Sequence, residues 1–336
     1  MRDGDPPLRL LCLPNTPLQR IVRCMQHIDQ FALSLVSQQC KDLVKSIDLK
    51  CLDVYVLVDS EITVRTRITD DCWIKCSLND VQVSIDNPSP TGVKSNVLTL
   101  HDGKGFAHSK PEYLVEDWLS HILQIFHQTE INTIRLLTPL RDVQSFRKTF
   151  TSCSTIVFKA RSEREAVDLS MTFCPLKKLE FGVCRIAEHN ETDETFPKIF
   201  IQNLEEIAVH LMCELTLDDL LIANSRIFRI YCQTIINFPK MLNRFIKHWL
   251  AGSNPRTRYF EFQCTGYLFL SNNNEVLKGI KHEIVSKMDP TALQAFRTFG
   301  VANVKFHGGY NICRKDGTVA TLSFPRYSRF EMLVWP

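Results

Sequence analysis

The sequence is poor in the features that usually declare a function. No stretch approaches the ~18 consecutive apolar residues that a membrane span requires, so no spanning helix and no membrane partner are expected. The N-terminus places Arg2, Asp3 and Asp5 ahead of a short apolar patch that Arg9 and Pro14 already break, which argues against a signal peptide. A charge excess of one sign is missing: 40 basic and 37 acidic residues leave a net charge of +3. Such a balance gives no reason to expect nucleic acid or an anionic surface as a partner. The 13 cysteines run from Cys12 to Cys313 without paired spacing. An odd, scattered count argues against a secreted disulfide framework and for reduced, mostly buried thiols in cytosol or nucleus.

Catalytic signatures are absent as well. Gly103-Lys104-Gly105 is glycine-rich, but the P-loop spacing and a strand-to-helix context are missing. Cys72 and Cys76, the closest cysteine pair, have no second Cys or His pair nearby to complete a zinc site. His121 and His127 stand six apart on one helix, the wrong spacing for a shared metal face. A nucleophilic cysteine needs a neighbouring base or charge, and nothing singles out one of the thirteen. The basic spots Arg314-Lys315 and Lys247-His248 read as solvated surface. No enzyme activity, cofactor or metal is expected.

What the chain does have is length and apolar content. Its 336 residues, 44% of them hydrophobic, suffice for two domains or one extended one. Residues 8–44 open on Leu8, Leu10, Leu11 and Leu13, running into Pro14. Leu18, Ile21, Val22 and Met25 then recur at helical spacing, which predicts a first helix after Thr16-Pro17. Phe31, Leu33, Leu35 and Val36 form a second apolar set, and Cys40, Leu43 and Val44 a third. Three helices this short cannot bury their own apolar stripes. Either the rest of the chain covers them, making the head a cap, or a partner does.

Residues 51–58, 61–69 and 73–85 read as strands, the last two by alternation. Residues 86–92 and 101–110 read as loops. From residue 111 onward strands and helices alternate. Helices are predicted over 111–127, 142–150, 161–171, 217–224 and 239–251, and strands over 131–137, 155–158, 176–183, 204–211, 226–231 and 258–262. Strand centres roughly 20 to 30 residues apart suit leucine-rich-type repeats, although no asparagine ladder is present. The expected fold is α+β: a three-helix head, then an irregular leucine-rich-repeat-like α/β solenoid, with an open α/β sheet as the alternative. The tail predicts a helix over 288–299, a strand-like segment over 303–307 and a turn at Gly308-Gly309. A hairpin follows over 311–324 about Asp316-Gly317, then a last strand over 330–335. That hairpin is expected to cap the repeat.

The order of the head residues (Leu13-Pro14, Leu18, Ile21, Phe31, Leu35-Val36-Ser37, then Leu43-Val44) resembles an F-box. The departure is Cys40, where many members place a tryptophan. Further on, 215–225 (LTLDDLLIANS), 242–262 (LNRFIKHWLAGSNPRTRYFEF) and 312–322 (ICRKDGTVATL), with Trp118 in EDWLSHIL, resemble the type 2 F-box-associated domain. The resemblance implies an F-box at 1–48 and a substrate-binding domain at 49–336. It also implies docking on a Skp-type adaptor, and through it a cullin-RING ligase, by Leu10, Leu13, Pro14, Leu18, Ile21, Met25, Phe31, Leu35 and Val36. The implied role is a non-catalytic substrate-recognition subunit of a ubiquitin ligase with an unknown protein target. A protein-interaction module working without the ligase remains the alternative.

Overall fold

The structure is a computed structural model describing residues 10–59, 61–70, 72–79, 97–101, 106–110, 113–137, 143–160, 162–173, 175–183, 196–211, 215–232, 237–264, 273–301, 304–326 and 328–335. The chain divides into two compact units, Met1–Ser154 and Thr155–Pro336. It is α+β, with three N-terminal helices followed by mixed sheet. No helix among the described residues is long and apolar enough to cross a membrane.

The first unit opens with a single 3-10 turn, Leu10–Cys12, then α1 (Asn15–Arg23), α2 (His27–Ser34) and α3 (Gln38–Ser46). Helix α1 begins two residues before Pro17, which therefore sits inside the first turn, where its missing N–H has no intrahelical partner to lose. Ser37 caps α3 by accepting the Cys40 N–H at 3.2 Å. Val22, Phe31, Leu35 and Val44 are fully enclosed. The buried Gln30 amide donates to the Val22 carbonyl at 2.8 Å, tying α2 to the end of α1.

The sheet of this unit is built from β1 (Asp53–Val58), β2 (Ile62–Arg67), β3 (Trp73–Asn79), β4 (Val97–His101) and β5 (Phe106–Ser109), a run of antiparallel neighbours. Helix α4 (Val115–Ile125) then leads to β6 (Ile131–Leu136), which pairs parallel to β1. Helix α5 (Val143–Thr149) follows. The expected loop over 101–110 is corrected: strands β4 and β5 occupy its ends, because Leu98 and Leu100 face His108 and Phe106 across a ladder. Gly103-Lys104-Gly105 and the expected loop over 86–92 lie outside the described residues.

The second unit alternates strictly at first. Strand β7 (Cys153–Ala160), which starts at the boundary, is followed by α6 (Glu163–Thr172), β8 (Lys178–Val183), α7 (Phe196–Phe200) and β9 (Glu206–Leu211). Then come α8 (Leu217–Ile222), β10 (Ile227–Cys232), α9 (Phe238–Ala251) and β11 (Tyr259–Cys264). Strands β7 to β11 lie side by side in chain order, all parallel. Right-handed crossovers between parallel neighbours put successive helices on one face. The inward rows Leu179/Phe181, Ile207/Val209, Phe228/Ile230 and Phe260/Phe262 meet that layer: Phe245 of α9 stacks on Phe260 at 4.9 Å, and Phe238 meets Phe262 in a tilted contact at 3.9 Å.

This parallel run does not establish the expected leucine-rich-repeat-like solenoid; it forms part of a mixed sheet. Beyond it the chain adds α10 (Asn273–Val276), β12 (Glu283–Val285), α11 (Pro290–Arg297), β13 (Gly309–Cys313), β14 (Val319–Arg326) and β15 (Arg329–Val334). Strand β15 joins β11 antiparallel, and β14, β13 and β12 follow outward, so the sheet is mixed. The β13–β14 hairpin falls where the sequence places it. Its turn is wider than two residues, closing with the Arg314 N–H on the Thr318 carbonyl at 2.9 Å and Gly317 in the left-handed region.

Candidate functional site

Two surfaces concentrate the residues of interest. The first is the outer side of the head. Helix α1 turns Leu18 and Val22 inward and leaves Ile21 39% exposed. The turn after α2 encloses Leu35 and leaves Val36 65% exposed. Leu11 and Pro14 are exposed too, and Leu13 and Met25 are half-buried. Of the adaptor residues expected from sequence, Pro14, Ile21 and Val36 therefore stand outside, Leu13 and Met25 lie between, and Leu18, Phe31 and Leu35 fill the interior. Leu10 opens the 3-10 turn, and its side chain is outside the described ones. Cys40 is buried, so at the position where the family favours tryptophan this chain packs inward.

The inner side of the head is fastened to α4. Phe31 stacks on Phe126 at 5.8 Å and meets the His121 ring edge-on at 5.8 Å. Ser34 Oγ lies 2.8 Å from Nε2 of the buried His121, and His127 Nε2 lies 3.1 Å from the Lys45 carbonyl. Of the two histidines expected on one helix, His121 lies on α4, whereas His127 lies beyond the helix end, which comes at Ile125, in the left-handed region; the use of either as a fastener does not follow from the sequence.

The second surface is the face of the second unit's sheet opposite the helices. Strand register sets Glu180, Ala208, Arg229, Glu261 and Glu331 in one row. Arg229 donates to Glu206 Oε1 at 3.0 Å and to Glu261 Oε2 at 2.8 Å. Arg329 Nη2 reaches Glu261 Oε1 at 3.0 Å and Glu331 Oε1 at 2.6 Å. The Tyr259 hydroxyl donates to Glu331 Oε1 at 3.0 Å. Three carboxylates thus share two guanidiniums. Burial pushes Glu331 above the ordinary carboxylate value, opposed by Arg329 and Tyr259, and its second oxygen has no partner. Burial would lower the Arg229 pKa, but Glu206 and Glu261 outweigh it and raise the value. Burial, then the Glu331 and Glu261 charges, raises Tyr259. Sequence reading missed this cluster. The signal was there: Arg229, Glu261 and Glu331 each interrupt an apolar run at a strand centre.

Away from the cluster the face carries Glu180, His210 and Tyr231, with His210 stacked on Tyr231 at 4.6 Å and its Nε2 3.6 Å from Glu180. The thiols offer little for catalysis. Burial, then Asp53, lifts Cys51 to about 11, and burial lifts Cys153 to about 12 and Cys76 upward too, the reverse of nucleophile activation. No group of three or more His, Cys, Asp or Glu among the described residues could hold a metal ion.

Two segments singled out in the sequence meet in space. Thr216 and Asp219 form a reciprocal capping box at the start of α8 (2.9 and 3.3 Å). Gly252 in the left-handed region ends α9, with the Ser253 N–H on the His248 carbonyl at 3.0 Å. The next residue, buried Asn254, donates its amide to the Leu220 and Ala223 carbonyls at 2.9 and 2.8 Å, satisfying the end of α8.

Comparison with known proteins agrees with this anatomy. The F-box domain model matches residues 10–52, the span of α1 to α3, and the F-box associated model matches residues 195–262, from α7 into β11. Over 333 residues, covering 98% of each chain, the protein is 23% identical to the F-box associated domain-containing protein sdz-33 of Caenorhabditis elegans. No solved structure matches it. The head is thus similar to an F-box, and residues 195–262 of the second unit to an F-box associated domain.

Proposed function

We propose that the protein is a substrate-recognition subunit of a Skp-cullin-F-box ubiquitin ligase, with no catalysis of its own. The F-box domain match suggests a ligase-adaptor role in general terms, and the F-box associated match suggests a target-binding one. The observation that carries the reading is the exposure of Ile21 and Val36 on a head whose interior is already filled by Val22, Phe31, Leu35 and Val44. Single exposed apolar groups are common, but several presented by one small module together with the F-box match support a contact surface. In this reading Leu11, Leu13, Pro14, Ile21, Met25 and Val36 meet the Skp-type adaptor, and Leu18, Phe31 and Leu35 hold the shape that presents them. The later domain holds the target, so that acceptor lysines reach a separately bound ubiquitin carrier by raised effective concentration. Several of the described cysteines, Cys40, Cys76 and Cys153 among them, are buried thiols, which suits cytosol or nucleus.

Recovery of recombinant Skp-type adaptor by the full-length protein tests this. Ile21→Asp with Val36→Asp should abolish recovery while leaving the circular dichroism spectrum unchanged. Undiminished recovery overturns the reading. One observation favours the ligase-independent alternative: the Phe31–Phe126 and Ser34–His121 contacts pack the head on its own chain, as a cap would. That alternative predicts no adaptor recovery from either protein.

A further inference from the structure

Strand β12 is the outermost strand of the second unit's sheet, paired on one side to β13 through Glu283–Asn311, Ile284–Tyr310 and Val285–Gly309. Among the described residues no strand pairs with its other side. The segment around it is open: of residues 281–288, Val285 alone is half-buried and the other seven are exposed. Ile284 at 82% and Met288 at 71% are more exposed than any other large apolar side chain among the described residues. An edge strand that shows an isoleucine to water offers main-chain groups and a side-chain anchor to an incoming strand.

Close packing holds this edge in place. A Cβ on Gly308 would come within 2.5 Å of the Lys287 N and 2.7 Å of the Val285 carbonyl, and one on Gly309 within 2.0 Å of the Leu322 carbonyl. Both glycines have positive φ. The backbone of β12 is therefore pressed against the start of β13, and only glycine permits that approach.

We propose that the free edge of β12 accepts an extended segment of a target polypeptide, apolar at its centre and acidic at both ends. The inference rests on the substrate-recognition reading and names the surface and the chemistry. Charge chooses the occupant. Lys281 and Lys287 flank the strand and both are exposed, with the exposed Glu283 between them, so an occupant is acidic at its ends and uncharged at its centre. A second copy paired antiparallel about Ile284 would set Lys281 against Lys287 twice, and like charges directly opposed are destabilising. An acidic segment neutralises both, and its apolar centre covers Ile284.

Fluorescence anisotropy on the full-length protein tests this with a short fluorescein-labelled peptide carrying glutamates at both ends and valines at its centre, compared with its lysine-ended counterpart. The glutamate peptide should bind and the lysine peptide should not. Lys281→Glu with Lys287→Glu should weaken the former more than about tenfold and favour the latter. Methylating the backbone amides along one edge of the peptide should abolish binding, and along the other edge should not. Equal binding of both peptides, indifference to the charge reversal, or no binding overturns the proposal, the lysines then serving only to protect the edge. A dimer seen by sedimentation and lost in Ile284→Asp assigns the edge to a second copy, and likewise overturns it. Adaptor recovery measured on the same preparations reports the head alone. Failure of the edge proposal with recovery intact is thereby told apart from failure of the ligase reading.

Discussion

The head and the strand face of the second unit handle burial in opposite ways. The head leaves apolar groups wet: Ile21 and Val36 lie outside a core that is already complete. The sheet takes charges dry: Glu331 is wholly enclosed, and Glu261 nearly so, with Arg229 and Arg329 between them. Neither arrangement maximises stability. A bare isoleucine forgoes its transfer energy, and a buried ion pair recovers its desolvation cost only when the geometry is good. The lesson is that departures from the inside-apolar rule separate surfaces meant for contact from networks meant for rigidity. Exposed apolar groups tolerate change without unfolding, whereas enclosed charges do not.

That contrast can be broken from either side. The largest effect is expected inside the head, where Phe31→Ala should cost about 4 kcal/mol of stability by urea unfolding, since it empties a ring packed on Phe126 and His121. Glu261→Ala comes next at about 3 kcal/mol, because it leaves Arg229 and Arg329 short of a partner in a dry setting; a loss near zero would show the network to be wet. Gly308→Ala should cost about 2 kcal/mol, through a strained left-handed backbone and the collision with residue 287. Ile21→Asp should change stability by no more than about 0.5 kcal/mol, as a surface substitution does, while removing adaptor binding.

The smallest effect is a pH dependence. Burial raises the folded-state pKa of Glu331 above its unfolded value. The folded protein therefore holds this proton more tightly. The contribution to stability is full below the unfolded pKa and is lost as pH rises through the folded one. Glu331→Gln should gain on the parent protein as pH increases from about 5 to about 8, read from urea midpoints. A constant difference across that range would show that Glu331 is ionised throughout.

Much of this was readable from residue order. The alternation of β1 (inward Val54, Val56 and Val58) and the amphipathic α9 appear where their periodicities place them. So does the Gly252 helix end. Two kinds of feature were not readable, and a third, the ionic cluster, was readable only as isolated charges in apolar runs. Short elements such as β12 and α10 carry too few residues to show a period. Strand β5 was hidden because glycines beside it read as loop. The ionic cluster needs register: Glu261 and Glu331 lie 70 residues apart in sequence yet face each other across one ladder. At the head, family order places Leu18, Phe31 and Leu35 beside Ile21 and Val36 as equals. Only packing separates those that shape the surface from those that form it.

The bond between Ser34 and His121, with Phe31 packed on Phe126, ties the head to α4 and the residue that ends it. Whatever grips Ile21 and Val36 takes hold of the first unit as one stiff handle. A fragment ending near residue 52 would discard the Phe126 and His121 contacts, so the proposed adaptor grip is to be measured on the head and α4 together.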